Sequence, residues 1–420
     1  MTHARLFRQT LLATLGLALL ATPMVQARIR LITLPPRERV EIQLDHEDAT
    51  LVEEERIVPL VEGVNQIDFA WAGTRIDPGT IVFRVLGPAD GEDLQAEVLS
   101  VSYPPNENAL VWQVAASAAG SARVRISYLL GKLDRSFNYR AVAEHDEQTL
   151  TLAQYVRVQN LAGETFGDSE IHVGVGDTFT RPIGLNETRE MLLERYVNVP
   201  IRKTYTADLA QFGYLDEPRQ QLRVPMHYVL TNDAEHNLGQ EPLPTGKVRI
   251  FQKDRPDADA TTAFLGEDWG DFTPLDDEMS LYLGVAQDVS VRRTITERER
   301  EEVAGNLGHI HVVVRYEIEN FKDQPVTLRV AEDIAHLASE AGLHAAHEPG
   351  IRLARPHEWV IGEGTTFEGV PDAEESSQER VMFETQLPAR EGDQAQKIVH
   401  ELHLTFRNEW DLPVRPLRQR

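Results

Sequence analysis

The chain has 420 residues and no cysteine, and its 67 acidic side chains against 42 basic ones give a formal net charge of −25. This balance excludes an extended nucleic-acid interface and adhesion to an anionic membrane surface, because both need dense positive charge. Without cysteine there are no disulfides and no lipid-modified cysteine, so packing alone holds the two or three domains that this length predicts.

The first 27 residues have the features of a signal peptide. Arg5 and Arg8 precede an apolar run at residues 11–22, and Val25 and Ala27 place small residues at positions −3 and −1 of a cleavage site after Ala27. The run is shorter than the roughly 20 residues of a membrane-spanning helix. We expect an exported chain, periplasmic or secreted, with no membrane span after cleavage and no nucleic-acid partner.

Short strands dominate the N-terminal region. Apolar and polar residues alternate with period two, as half-buried strands require. The strand-like segments are residues 39–44, 65–71, 80–86, 94–103, 109–116 and 122–130. Turn formers such as Asp77-Pro78-Gly79 separate them. Closely spaced short strands predict an antiparallel sandwich or barrel.

The same pattern continues towards the C-terminus with one interruption. Residues 149–161 and 169–176 read as strands, whereas residues 186–197, NETREMLLERYV, suggest one short helix capped by Asn186. Strand patterns then return, broken by irregular loops at 331–357 and 369–379. The fold class expected is all-β, with two or three antiparallel β-sandwich-like domains, one short helix and irregular loops.

Turn-rich stretches near residues 132–138 and 232–242 suggest the domain boundaries. After the signal peptide, residues 1–27, the predicted division is an N-terminal β-domain at 28–135, a middle β-domain or continuation with the loop and helix segment at 136–235, and a C-terminal β-sandwich at 236–420.

Several segments carry a family resemblance. They include YVRVQNLAGETFGDSEIHVGVG with its Asn-x-x-Gly-Glu-x-x-x-Asp pattern, FLGEDWGDFTPLDDEMSLYLGVAQDVSVRR and VRYEIENFKDQPVTLRVAED. Together they resemble the DUF4139 family of exported bacterial β-rich proteins, some of which are labelled mucoidy inhibitor-like. The resemblance covers most of the chain after the signal peptide. It implies an exported β-rich fold, but the family has no established activity, so it implies no catalytic residue.

The stretch GEDWGDFTPLDDEM, residues 266–279, is the first candidate site. Its acids are Glu267, Asp268, Asp271, Asp276, Asp277 and Glu278. A calcium loop of the EF-hand type alternates its oxygen ligands, and Gly270 and Phe272 interrupt that alternation. We expect a solvated hairpin connection, with Trp269 or Phe272 capping the core. Calcium binding and a carboxylate pair for glycoside hydrolysis are the alternatives.

Histidine and tryptophan supply the other candidates. His344 and His347 are three residues apart, a spacing that would align them as zinc ligands on a helix, although the surrounding glycine and proline favour a loop of surface histidines. Trp269, Trp359 and Trp410 lie near loops beside acids and are candidates for stacking on a ligand. Trp71 and Trp112 lie in apolar strand patterns, so we expect them in the core.

No nucleophile motif of the Gly-x-Ser-x-Gly or Ser-x-x-Lys type occurs in the sequence, and no catalytic residue is assigned. We therefore expect a non-catalytic β-scaffold or binding protein of the bacterial cell envelope, without a cofactor, whose partner is an envelope protein or a glycan. The alternatives are a metal-dependent or glycan-directed hydrolase using calcium or zinc, and a calcium-stabilised carbohydrate-binding or adhesin-like module.

Overall fold

The computed structural model describes residues 30–46, 48–89, 93–257, 261–343, 357–367, 379–392 and 394–410. Backbone contacts divide the chain into two compact units. The first contains residues 1–135 and 158–189, and the second contains residues 136–157 and 190–420. Strands dominate the described residues, which confirms the all-β class. The three-domain division from the sequence stays a prediction.

The strands are numbered in chain order. The first thirteen are β1 (Arg30–Thr33), β2 (Arg39–Gln43), β3 (Thr50–Leu60), β4 (Gly63–Ala70), β5 (Val82–Pro88), β6 (Ala96–Ser102), β7 (Ala109–Ala116), β8 (Gly120–Leu130), β9 (Leu133–Ala143), β10 (Thr149–Asn160), β11 (Phe166–His172), β12 (Phe179–Ile183) and β13 (Thr188–Pro200).

The remaining elements are β14 (Arg202–Asp208), α1 (Leu209–Phe212), β15 (Tyr214–Asp216), β16 (Gln221–Leu222), β17 (Pro225–Thr231), β18 (Gly246–Lys253), β19 (Thr262–Gly270), β20 (Glu278–Val285), β21 (Val289–Ala304), β22 (Leu307–Asn320), β23 (Val326–Asp333), α2 (Ile334–Glu340), β24 (Glu358–Ile361), β25 (Arg380–Leu387) and β26 (Gln396–Trp410).

Two sheets pack face to face in the first unit, with strand orders β1-β4-β7-β6 and β12-β11-β2-β3-β8-β5. The ring centroids of Phe69 and Tyr128 lie 6.0 Å apart, and those of Phe83 and Trp112 lie 4.6 Å apart. Each pair joins one sheet to the other, so an aromatic core holds the sandwich. Trp71 and Trp112 are buried, as predicted.

Three further sheets lie wholly or mainly in the second unit, with orders β13-β10-β9-β18-β19, β20-β17-β14-β23-β25 and β15-β16-β21-β22-β26-β24. The last two enclose one apolar core, to which Tyr205, Val312, Leu328 and Leu404 contribute from four strands. Leu337 of α2 is fully buried in the same core.

The sheets are mixed rather than purely antiparallel. Parallel pairing joins β1 to β4, β2 to β11, β9 to β18 and β14 to β23. The strictly antiparallel prediction was therefore wrong for these pairs. Alternation along a strand reports which side chains are buried, but it carries no information about the direction of the neighbouring strand.

The helix predicted at residues 186–197 is also wrong, because this segment forms β13. Asn186 adopts a left-handed φ of 58° in a tight turn, where the backbone N–H of Glu187 donates to the carbonyl of Gly184 at 3.2 Å. Burial then alternates along Thr188–Leu193 with the period of a strand.

The two short helices lie elsewhere and have aspartate caps. Asp208 accepts a hydrogen bond from the backbone N–H of Gln211 at the start of α1, and Asp333 accepts one from His336 at the start of α2. Helix α2 falls inside the segment 331–357 that was expected to be a loop. Within the described part of the chain, no helix is long and apolar enough to span a membrane.

A fully buried asparagine ends β10. Nδ2 of Asn160 donates to the carbonyls of Glu164 at 2.8 Å and Gly184 at 3.0 Å, and its Oδ1 accepts from the backbone N–H of Ala162 at 3.1 Å. One side chain thus satisfies three backbone groups where the chain turns from β10 towards β11.

The second unit repeats this corner at the end of β22. Nδ2 of the fully buried Asn320 donates to the carbonyls of Gln324 at 3.0 Å and Pro388 at 2.8 Å, and Oδ1 accepts from the N–H of Lys322 at 3.0 Å. We refer to Asn160 and Asn320 as the asparagine corners. Both lie in segments that carry the family resemblance.

A buried arginine cluster stabilises the second unit. The Arg293 side chain is 1% exposed, and its Nε and Nη2 each donate to a carboxylate oxygen of Glu332 at 2.8 Å. Arg293 also donates to Glu340 at 2.6 Å and to the hydroxyl of Tyr214 at 3.0 Å, while the Tyr316 hydroxyl donates to Glu332. Burial acts to lower the pKa of Arg293, but the interactions with Glu332, Tyr316 and Glu340 together outweigh it and raise this pKa.

Candidate functional site

The acidic stretch at residues 266–279 joins two sheets of the second unit. Its first residues end β19, which pairs with β18, and its last residues begin β20, which pairs with β17. The stretch is therefore a link between sheets, whereas the sequence suggested a hairpin connection. Trp269 and Phe272 are 60% and 59% exposed, so neither caps the core as expected.

A buried asparagine holds the link in place. Nδ2 of Asn232 lies 3.1 Å from each of the carbonyl oxygens of Glu241, Thr273 and Pro274, and its Oδ1 accepts from the N–H of Gly239 at 2.9 Å. Calcium loops use backbone carbonyls as ligands. Here two carbonyls of the link already accept hydrogen bonds from Asn232.

The acids of the link point to separate partners. Glu267 accepts from Lys247 at 2.7 Å, and Glu278 accepts from Arg202 at 3.1 Å. Asp268 accepts the backbone N–H of Tyr282 at 2.6 Å.

The other three acids serve the turn itself. Asp277 Oδ1 accepts the N–H of Glu278 at 2.8 Å, Asp276 has a left-handed φ of 64°, and the carbonyl of Asp271 accepts from the Thr273 hydroxyl at 2.9 Å. Among the described residues, none of the six acids belongs to a group of three ligating side chains within metal distance. His344 and His347 lie outside the described residues, so a metal at these positions stays a prediction.

The three candidate tryptophans differ in exposure. Trp269 is mostly exposed on β19. Trp359 on β24 is partly buried and packs against the core of the second unit. The side chain of Trp410 lies outside the described residues. Of the two candidate tryptophans whose side chains are described, Trp269 has the open ring.

Strand register places cations around Trp269. Lys247 lies opposite Trp269 in the β18–β19 pair, and its Nζ is 5.6 Å from the indole centroid, a cation–π distance. Arg249 lies opposite Glu267, two residues further along β18, and its Nε donates to that carboxylate at 3.2 Å. Val248 lies between Lys247 and Arg249, and Ile250 follows Arg249; both are fully buried. Alternation along the strand therefore turns the side chains of Lys247 and Arg249 outward.

Two phenylalanines and a third cation extend this surface. The rings of Phe251 and Phe264, opposite each other on β18 and β19, have centroids 5.4 Å apart, and Phe264 is exposed. The guanidinium carbon of Arg140 on β9 lies 4.9 Å from the Phe251 centroid. We call this surface the β9–β18–β19 face, defined by Arg140, Lys247, Arg249, Phe251, Phe264, Glu267 and Trp269.

The face is basic on a strongly acidic chain. It carries three cations and one carboxylate, whereas the whole chain has a net charge of −25. The hydrogen bond from Lys247, with a further one from Arg249, lowers the pKa of Glu267. Glu267 therefore stays ionised at neutral pH and fixes both cations beside the aromatic rings.

Most of this face was not predicted from the sequence. Its signal is the run Lys247-Val-Arg249-Ile-Phe251, in which every second residue is cationic or aromatic between buried aliphatic residues. Arg140 and Phe264 reach the same surface through pairing across β9, β18 and β19, which no local pattern indicates.

A second group lies in the first unit, where parallel pairing of β2 and β11 places Glu170 opposite Glu41. One ligand atom from each of Glu41, Glu170 and His172 lies within 4.8 Å of the others. However, Arg39 is within 3.3 Å of Glu41 and donates to Glu170 at 3.2 Å. The guanidinium thus already pairs with both carboxylates that a metal would need.

A scan against models of known protein families and a search of curated proteins found no match to this chain.

Proposed function

We propose that the chain is an exported, non-catalytic scaffold of the bacterial cell envelope that binds an acidic glycan on its β9–β18–β19 face. The observation that carries the proposal is the open indole of Trp269 with the Lys247 ammonium 5.6 Å from its centroid. The apolar face of a sugar ring stacks on an indole, and the neighbouring cations pair with sugar carboxylates.

Charge complementarity favours an acidic glycan over a neutral one. Arg249 and Arg140 lie along the same surface as Trp269, and arginine pairs with carboxylates through a planar fork. Elsewhere the acidic surface repels a polyanion, so binding is confined to this face.

The state of Glu267 favours binding over hydrolysis. A glycosidase acid needs a raised pKa so that it still carries a proton at working pH. Glu267 has a lowered pKa, because Lys247 and Arg249 donate to its carboxylate. It therefore serves to position two cations.

Export is part of the proposal. Residues 1–27 have the sequence of a signal peptide, and the resemblance to DUF4139 implies an exported protein. The envelope is also where an acidic glycan is encountered.

Calorimetry with the exported chain tests the proposal. We expect polyuronate oligosaccharides to bind and neutral glucan oligosaccharides of equal length to bind at least about tenfold more weakly, a difference of about 1.4 kcal/mol. Trp269→Ala should weaken polyuronate binding by a similar factor, and Arg249→Met should weaken it while reducing its salt dependence.

Phe272→Ala is the matched control, because Phe272 is as exposed as Trp269 but lies on the link outside the face. It should bind polyuronate like the wild type. Equal loss in the two aromatic variants, or equal affinity for the neutral glucan, would overturn the proposal.

A further inference from the structure

A polar cavity of about 260 Å³ lies within the second unit, and none of the residues that define the β9–β18–β19 face lines it. Tyr205, Lys203, Lys322, Glu147 and Gln324 are among the residues that line it. The chain has six lysines, and two of them meet here. Such a concentration of ammonium groups is unusual for a lysine-poor chain.

Tyr205 presents an unsatisfied polar atom to this cavity. The residue is 2% exposed, and the polar group beside its hydroxyl is the Lys322 ammonium, which can donate to the oxygen but cannot accept the hydroxyl proton. Among the described residues the hydroxyl has no hydrogen-bond acceptor. Burial raises the pKa of Tyr205, an effect that the nearby Lys322 ammonium opposes only in part, so the hydroxyl keeps its proton. A buried hydroxyl proton without an acceptor carries the cost of its lost hydration, which an acceptor atom of a ligand would remove.

Both ammonium groups lie near Tyr205, and each is paired with a carboxylate. Lys203 donates to Glu147 at 2.6 Å, and its Nζ is 5.9 Å from the Tyr205 ring centroid. Lys322 pairs with Asp288 at 3.1 Å. An ammonium group has three N–H donors, so each lysine retains donors beyond the one used on its carboxylate.

We propose that this cavity binds a small oxyanion, either an organic carboxylate or phosphate, through the Tyr205 hydroxyl and the ammonium groups of Lys203 and Lys322. A second cavity of about 380 Å³ shares Glu147, Lys322 and Gln324 with the first and adds Arg390. It gives room for the remainder of a larger organic anion.

Titration calorimetry with inorganic phosphate and with D-glucuronate, at constant ionic strength set with chloride, tests this site. Tyr205→Phe deletes only the unsatisfied hydroxyl, so the fold stays intact and the loss of binding is interpretable. We expect at least one of the two anions to bind, and Tyr205→Phe and Lys322→Met each to weaken it about tenfold or more. Lys397→Met, at an exposed lysine outside the cavity, should change nothing.

Binding of glucuronate alone identifies a sugar acid or related carboxylate, and binding of phosphate alone identifies a phosphate site. Both results support the oxyanion site. Absence of binding by either anion, or an affinity unchanged in Tyr205→Phe, overturns it. Trp269→Ala should leave this binding intact, so the test is independent of the glycan proposal.

Discussion

Replacing Arg293 by methionine is the sharpest test of how the second unit is stabilised. The substitution keeps an unbranched apolar side chain but removes both hydrogen bonds to Glu332, whose side chain is only 2% exposed. Tyr316 would remain as a donor to that carboxylate. Breaking a buried ion pair from one side costs about 3–5 kcal/mol, because the remaining charge stays desolvated. We expect a loss of unfolding free energy of that size.

The measurement is native-state hydrogen exchange of the amides in β22, which reports the unfolding free energy of this unit separately from the first. Arg315→Met, at an arginine on β22, is the control. Its guanidinium is 45% exposed and pairs with Glu401, so its loss should cost at most about 1 kcal/mol.

The double variant Arg293→Met with Glu332→Leu distinguishes the loss of the Arg293–Glu332 ion pair from the cost of leaving the Glu332 carboxylate buried without its partner. Replacing both members with apolar side chains removes the isolated charge, so much of the lost stability should return. If Arg293→Met lowered the unfolding free energy no more than Arg315→Met, or if the double variant were as unstable as Arg293→Met alone, a buried unpaired charge on Glu332 would not be the cause of the instability.

Three further outcomes follow from buried or paired groups. Asn232→Ala should lower the unfolding free energy by at least about 2 kcal/mol in urea, because three backbone carbonyls lose their amide donor, whereas the exposed Asn306→Ala should not. The hydrogen bond from Arg125 lowers the pKa of Glu55, so the ionised carboxylate stabilises the folded state fully above the unfolded pKa of 4.5, and this stabilisation is lost as the pH falls through the lower folded pKa. In Glu55→Gln, the thermal midpoint should therefore fall less steeply over that acidic range than in the wild type. Burial lowers the pKa of His227, and the nearby Asp268 opposes this effect only in part. The unfolded chain therefore binds a proton at this histidine before the folded chain does, and the folded state loses stability as the pH falls below 6.5. In His227→Gln, this part of the fall in thermal midpoint should be absent.

Much of the fold was predictable because half-buried strands alternate visibly. The segment 186–197 misled us because Glu, Met, Leu and Arg are good helix formers, and its pairing in a sheet overrode that local preference. The Glu41–Glu170 contact could not be predicted, because parallel pairing joins residues far apart in the chain.

The exposure of Trp269 follows from its neighbours once β19 is recognised as a strand. Asp268 accepts the N–H of Tyr282 on the opposite side of β19 from Trp269. Gly270 faces Met279 so closely that an added Cβ would lie 2.9 Å from its sulfur. Alternation then turns Trp269 outward. From the sequence alone, an aromatic residue among acids looked equally suited to covering the core.

The asparagine corners set a chemical limit on how long the fold survives. A chain without cysteine cannot be damaged by thiol oxidation, but the side-chain amide of asparagine hydrolyses slowly on heating. At Asn160 or Asn320 the product would place a carboxylate oxygen against two carbonyl oxygens in a fully buried position, turning attraction into repulsion. Because each unit contains one corner, prolonged heating would damage both units by the same reaction, and refolding would not reverse it.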